Sequence, residues 1–438
     1  MNTDELSRIW RERSLRYVSG INRFVERGLS EGWENVGHEP EDDRADLAIP
    51  VLAALRSANE AGNLAGFRER FPPAHSPFLQ LLEANGQSIS PISIVDGDRI
   101  AARIGAPYEN GRIVILQGDS ALPFAGAFTF GRSRDRRVFA FASEDGVHTR
   151  DGWDGPVLER FPFPKGSEGV PSGYDAELLE GTPVVETLVP FADGKRVLFV
   201  GPDGVFILSP EAAHRLLPTE ADLREHFEWL RTEHPEDPLS MSLDMVHATV
   251  SKNGRFVAAG SQDSNHLVFK DGSLFASVGN LSEYPHHACF SSDDSVLAFN
   301  SCHFYHGETV GVPIAELKQG FESEPYEVNE PVFELESGSR VYAAAHRGDE
   351  FMFGDASGYL RAVSNTGEPR WQHFIGSSVG DIDVTPDGKT LAVSTYAGFL
   401  CVLDLDTGDA DPFVIGTSTH KEKRRWVFWR GEKEPLIW

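Results

Sequence analysis

From about residue 90 to the C-terminus the chain repeats one short unit: an apolar strand, a tight turn of Asp, Gly, Asn or Ser, and a second strand ending in small residues. Copies include Val95-Asp96-Gly97-Asp98-Arg99-Ile100, Asp135-Arg136-Arg137-Val138 and Asp193-Gly194-Lys195-Arg196-Val197. Further copies are Asn253-Gly254-Arg255-Phe256, Asp293-Asp294-Ser295-Val296, Ser337-Gly338-Ser339-Arg340-Val341 and Asp387-Gly388-Lys389-Thr390-Leu391. The first apolar residue after each turn falls at 100, 138, 197, 256, 296, 341 and 391. A four-stranded propeller blade needs about 40–50 residues, so these intervals suit one blade per copy. The two longest intervals hold insertions: a Gly/Pro-rich stretch at 164–181 and a stretch at 210–237. Within the second, Thr219-Glu220-Ala221-Asp222 reads as a helix N-terminus, and the helix is predicted to run to about Thr232.

Asp-Gly and Asn-Gly supply the positive φ of hairpin turns, and strand ends such as Ala-Val-Ser suit a crowded propeller interior. The clearest copy is 382–408, with its Pro-Asp-Gly-Lys turn, Leu-Ala-Val-Ser strand, Gly398 and Val402-Leu403-Asp404-Leu405-Asp406-Thr407-Gly408. It resembles a blade of the WD-repeat and quinoprotein-like β-propeller superfamily. The Gly-His and Trp-Asp dipeptides of ordinary WD repeats are missing from their places. The resemblance implies an all-β fold, a seven-bladed β-propeller over residues 87–438 with insertions near 164–181 and 210–237. The aromatic tail 424–438 is expected to pair with the first blade and close the ring.

Residues 1–86 read differently, as a small α-helical N-terminal segment. Leu6, Ile9, Trp10, Leu15, Val18, Ile21, Phe24 and Val25 fall on one face of a helix over 3–28, with Thr3 as its cap and Gly28 as its stop. Further helices are expected over 45–61, with Pro50 in the first turn, and over 77–84. The expectation is a cap packed on the propeller, because the polar face mixes charge signs and a membrane-surface anchor wants a basic one.

Lys and Arg total 40 against 67 Asp and Glu, a formal net charge of −27. That charge argues against nucleic acid and favours a basic protein partner. No apolar run approaches the roughly 20 residues of a membrane span. The N-terminus lacks the form of a secretory signal, and three cysteines cannot build a disulfide framework, so a cytoplasmic monomer is expected.

No catalytic signature is legible: there is no Gly-x-Ser-x-Gly elbow and no phosphate loop. In a propeller the start of each inner strand and the end of the next strand meet on one face, and mapping the copies onto that rule nominates binding residues. They are Asp263 and His266 in blade four, His286, His287, His303 and His306 in blade five, His346 in blade six and Tyr396 in blade seven. His286, His287, His303 and His306 are also the residues to test for a metal, since His is a common ligand, although Cys302-His303-x-x-His306 matches no zinc spacing. Cys302 and His303 are adjacent on a strand and point apart, which disfavours a thiol nucleophile. No cofactor is implied. The resulting expectation is a non-catalytic protein-interaction scaffold working through the loop face, one form being a bacterial immunity-type protein that masks a basic toxin. The alternative is a metal-dependent, lactonase-like hydrolase or lyase.

Overall fold

The computed structural model describes residues 2–438. Seven antiparallel sheets, four of them cut from one unbroken run of four successive strands, follow one another along the chain. The innermost strand of each sheet packs against that of the next, and the innermost strand of blade seven (Val379–Val384) packs against that of blade one (Ile89–Asp96). The protein is a seven-bladed β-propeller.

The repeating turn has a chemical basis. In blades two, four, five and seven a Ser or Thr hydroxyl donates to an Asp or Asn two residues on, and accepts the N–H five residues on. The pairs are Ser133–Asp135, Ser251–Asn253, Ser291–Asp293 and Thr385–Asp387. This closes the hairpin between the first two strands of a blade and leaves the next residue in the left-handed region: Arg136, Gly254, Asp294 and Gly388 have φ of 67°, 69°, 59° and 68°.

One copy was assigned to the wrong hairpin. The turn Ser337-Gly338-Ser339-Arg340 connects the outer strand of blade five (Phe333–Ser337) to the inner strand of blade six (Val341–Arg347). The true inner hairpin of blade six turns at Gly348-Asp349, where the hydroxyl signature is absent. A small polar turn between two apolar runs looks alike in both places, so the blade count is right while the faces of blade six are inverted.

The tail does not complete blade one. Lys421–Val427 is the fourth strand of blade seven, and Leu436–Ile437 adds a fifth. Blade seven has no other candidate for its outer edge, because 405–420 is irregular. Closure falls instead to two side chains of the last inner strand. Asp381 accepts the Ile92 N–H (2.8 Å) and Asp383 the Ile94 N–H (2.6 Å), so blade seven grips the backbone of blade one.

The N-terminal helices are Thr3–Glu31, Ala48–Ala61, Leu64–Arg70 and Leu79–Asn85, with Pro50 in the first turn of the second. Asn2, not Thr3, caps the first, accepting the Glu5 N–H. That helix runs past Gly28 to Gly32, whose φ is 91°. Gly28 is a seat rather than a stop: a Cβ there would lie 2.4 Å from the Trp33 ring. The 64–70 helix was not anticipated. The group packs on blades six and seven, where Trp10, Phe71 and Phe78 meet Phe399, Trp429 and Trp438. Each such large side chain contributes about 1.5–3 kcal/mol of apolar burial, so the contact is extensive. Beside it Glu422 bridges Arg68 and Arg425.

Both expected insertions lie between blades, where the loop face is. Thr219 caps the helix Glu220–Glu233 through a reciprocal box with Asp222, and Leu223, Phe227 and Leu230 of that helix pack on Val170 and Tyr174 of the first insertion. A third insertion, 314–332, had no visible signature; it crosses to blade four, where Phe321–Glu322 pairs with Ala276–Ser277. No helix is long and apolar enough to cross a membrane among the described residues.

Candidate functional site

The eight nominated residues separate into four places. Asp263, His303 and His306 are exposed on the rim of the loop face. His286, His287 and Tyr396 line the central channel near that face. His266 is fully buried between blades four and five, stacked on Phe299 with ring centroids 4.5 Å apart. Its two nitrogens have no hydrogen-bond partner, and burial holds its pKa well below the ordinary value. It faces no solvent because it sits on the third strand, at a position whose side chain enters the packing between blades.

His346 ends the inner strand of blade six and therefore lies at the opposite end of the channel, the consequence of the inverted register. Its Nδ1 accepts the Ser292 backbone N–H (3.0 Å), and its Nε2 donates to Asn365 Oδ1 (2.7 Å). The Ser292 hydroxyl is also close, 2.7 Å from Nδ1. This Ser–His–Asn string is a clamp between blades rather than a nucleophile pair. The lone pair that a base needs is already taken by a backbone N–H, and a neutral Asn cannot stabilise an imidazolium.

The channel wall beneath the loop face is neutral. His286 donates from Nδ1 to the Val341 carbonyl (2.6 Å), while its Nε2 accepts from Arg340 (3.1 and 3.0 Å). Burial pushes the His286 pKa down to about 3, and Arg340 pushes the same way. His287 is likewise lowered to about 3 by burial, with His247 adding to the shift. Tyr342 stands edge-on to both His286 (4.9 Å) and Tyr396 (5.4 Å), and burial raises the pKa of both tyrosines. Both nitrogens of His286 are committed, and His303 and His306 sit outside at the hairpin end. The four metal candidates therefore do not converge, and among the described residues no three His, Cys, Asp or Glu side chains are placed to hold a metal.

The rim has a different chemistry. The middle hairpin of blade five is built from strands of eight residues, Val296–His303 and His306–Pro313, where the equivalent strands of every other blade have five or six. Two extra residues add about 7 Å of strand. At its tip stand Phe304 and Tyr305, 74% and 66% exposed. Phe304 is held at φ 53°, a conformation that costs a bulky residue on the order of 1–3 kcal/mol. Arg340 braces the tip from behind: its Nη1 donates to the Phe304 carbonyl and its backbone N–H to the Tyr305 carbonyl, each at 3.2 Å.

A second exposed aromatic joins it from the unanticipated insertion. Tyr326, 63% exposed and at φ 64°, donates its N–H to the Asn280 carbonyl at the end of blade four. Carboxylates surround these rings. Glu283 lies 3.6 Å from His303, and Glu283 first, then Asp263 and Tyr326, raise the pKa of Tyr284. Glu324, Glu327 and Glu330 flank Tyr326 and are exposed.

Sequence reasoning found the hairpin through its histidines and missed the aromatics between them. The signal was present, since Phe304-Tyr305 occupies a two-residue turn where Gly, Asn or Asp would be usual. Tyr326 had no signal, because its place depends on a crossing between blades. No protein-family profile matches the chain, and no curated protein matches it in sequence. What stands is the fold, a seven-bladed β-propeller, with no closer kinship to WD-repeat or quinoprotein-like proteins established.

Proposed function

We propose that the protein is a non-catalytic binding module that docks a basic protein on its loop face, with Phe304, Tyr305 and Tyr326 as the anchor. The observation that carries this reading is the projecting tip: aromatic side chains held exposed, in a costly backbone conformation, by a brace from the neighbouring blade. Folding alone gains nothing from exposing them, and aromatic residues dominate the energetics of protein interfaces. The ring of Glu283, Asp263, Glu324, Glu327 and Glu330 complements a partner rich in Lys or Arg, and the net charge of −27 speeds the encounter. Masking of a basic toxin, as an immunity-type protein does, is one form of this chemistry.

The test is site-specific photocrosslinking in source-cell lysate, with a photoreactive phenylalanine analogue at position 305 and, for comparison, at the opposite-face position 346. The expected result is one basic protein crosslinked from 305 and not from 346, with the yield falling as salt rises. Crosslinking from 346 alone, or an acidic partner at 305, overturns the reading.

A further inference from the structure

The central channel is a cavity of about 2000 Å³ that runs from loop-face residues such as Ser90, Glu186 and Tyr396 to the turns at the other end. That far end is crossed by one side chain. Arg134, in the inner hairpin turn of blade two, donates from Nη2 to the carbonyls of Phe290 (2.6 Å) and Ser291 (3.2 Å) in blade five. Blades two and five face each other across a seven-membered ring, so the side chain spans the axis. The two carbonyls occupy Nη2, and no protein acceptor meets the N–H groups of Nε and Nη1 among the described residues. Nor are these atoms sealed in protein; Arg134 lines the cavity, and its nitrogens are not among the buried unpaired atoms. No carboxylate forms an ion pair with it.

The surroundings reinforce an excess of positive charge. Arg132 and Arg136 share a single carboxylate, Asp383. Lys252 and Lys389 line the same end and form no ion pair. The carboxylates there are occupied: Asp349 by Arg370, Glu350 and Asp406 by Arg347, and Asp135 and Asp387 by the hydroxyls of their own turns. Higher in the channel, burial raises both Asp381 and Glu186 to about 7, which weakens the negative charge a ligand would pass. A guanidinium that is fixed in place, open on three N–H groups and free of a counter-ion is the arrangement that recognises oxyanions.

We infer that Arg134 anchors a site for a small oxyanion-bearing ligand, a carboxylate or a phosphate, at the closed end of the channel. The cavity exceeds the roughly 300–1,000 Å³ of ordinary ligand pockets, so the ligand's remaining part has room along the neutral wall of His287 and Tyr342. This site is separate from the rim and does not depend on a protein partner.

The experiment is a thermal-shift and calorimetric titration of the full chain with inorganic phosphate and, separately, succinate, at ionic strength matched with sodium chloride. The expected result is saturable binding of at least one probe, weakened about tenfold or more in Arg134→Gln, as loss of a charged hydrogen-bond donor predicts. Lys252→Glu leaves the Arg134 contacts intact and is expected to weaken binding as well, which covers the case of an unstable Arg134 variant. Arg224→Gln, on the distant Glu220–Glu233 helix, is expected to bind as the parent does. Saturation by phosphate alone or by succinate alone decides which oxyanion the site takes. No saturable response to either probe at about 10 mM, or equal binding by the parent and both channel variants, overturns the inference.

Discussion

Replacing Asp383 by alanine removes the clasp that closes the ring. The carboxylate is 5% exposed and has four claims on it: the Ile94 N–H at 2.6 Å, Arg132 through both oxygens at 2.7 and 2.9 Å, and Arg136 at 2.8 Å. Breaking a buried ion pair by removing one partner costs about 3–5 kcal/mol, and a buried N–H left without an acceptor about 1–3 kcal/mol. The losses overlap, so about 4–6 kcal/mol is expected in all. For a chain of this length each kcal/mol moves Tm by about 1–2 °C, giving a fall of about 4–10 °C at pH 7. Asp383→Asn keeps an acceptor for Ile94 and loses the charge, and belongs between the two. Burial opposes ionisation of Asp383, but Arg132 and Arg136 overcome it and hold the pKa below its ordinary value. The stabilisation is therefore complete above the ordinary aspartate pKa and is lost as pH falls through the folded-state value, so the gap between parent and variant closes in strong acid. Calorimetry gives the Tm series. Hydrogen exchange gives the location: faster exchange at Ile92–Ile94 and in the inner strand of blade seven, with blades three and four unchanged. A Tm within 1 °C of the parent, with Ile94 still protected, would refute the clasp.

Asp381 behaves in the opposite sense. Burial raises its pKa to about 7, so its favourable contribution is present below the ordinary value and is lost as pH rises through 7. Asp381→Asn, whose side-chain oxygen still accepts the Ile92 N–H, is expected to gain on the parent steadily from pH 5 to pH 8; parallel Tm curves would contradict this. His266→Phe removes two buried nitrogens that have no partners and keeps the stack on Phe299, so Tm is expected to rise by about 1–3 °C, with partner binding unchanged. Phe304→Gly relieves the left-handed backbone and deletes an anchor: stability is expected to rise by about 1 kcal/mol while partner affinity falls about thirtyfold or more. A variant that loses both together would show Phe304 to be a packing residue.

The blades were legible because their turns carry local chemistry. A hydroxyl, an acid or amide and a left-handed residue all lie within six positions of one another, and Ser251-Lys252-Asn253-Gly254 and Thr385-Pro386-Asp387-Gly388 announce themselves without any knowledge of the fold. Where that chemistry is absent, as at Gly348-Asp349, a neighbouring turn was taken in its place, and His346 was carried to the wrong end of the channel. His266 was misplaced for a related reason. Sequence position locates a residue near a face, but the strand's pleat decides whether its side chain enters the gap between blades. Arg134, Arg340 and Tyr326 were out of reach, since each acts on a residue in another blade.

Two opposed electrostatic regions can coexist on this molecule because of distance and screening. A net charge of −27 would seem to bar an anionic ligand from any site on the chain. The rim carboxylates are exposed, however, and at physiological ionic strength their field decays over a Debye length of about 8 Å. Arg134 sits at the other end of the channel, behind a wall of neutral histidine and tyrosine, where water is sparser and a local charge counts for more. Partner binding should therefore weaken steeply with salt, because it is driven from the exposed rim, whereas oxyanion binding in the channel should weaken less. Measuring both against the same salt series separates the two sites without a mutation, and equal slopes would mean that one surface field governs both.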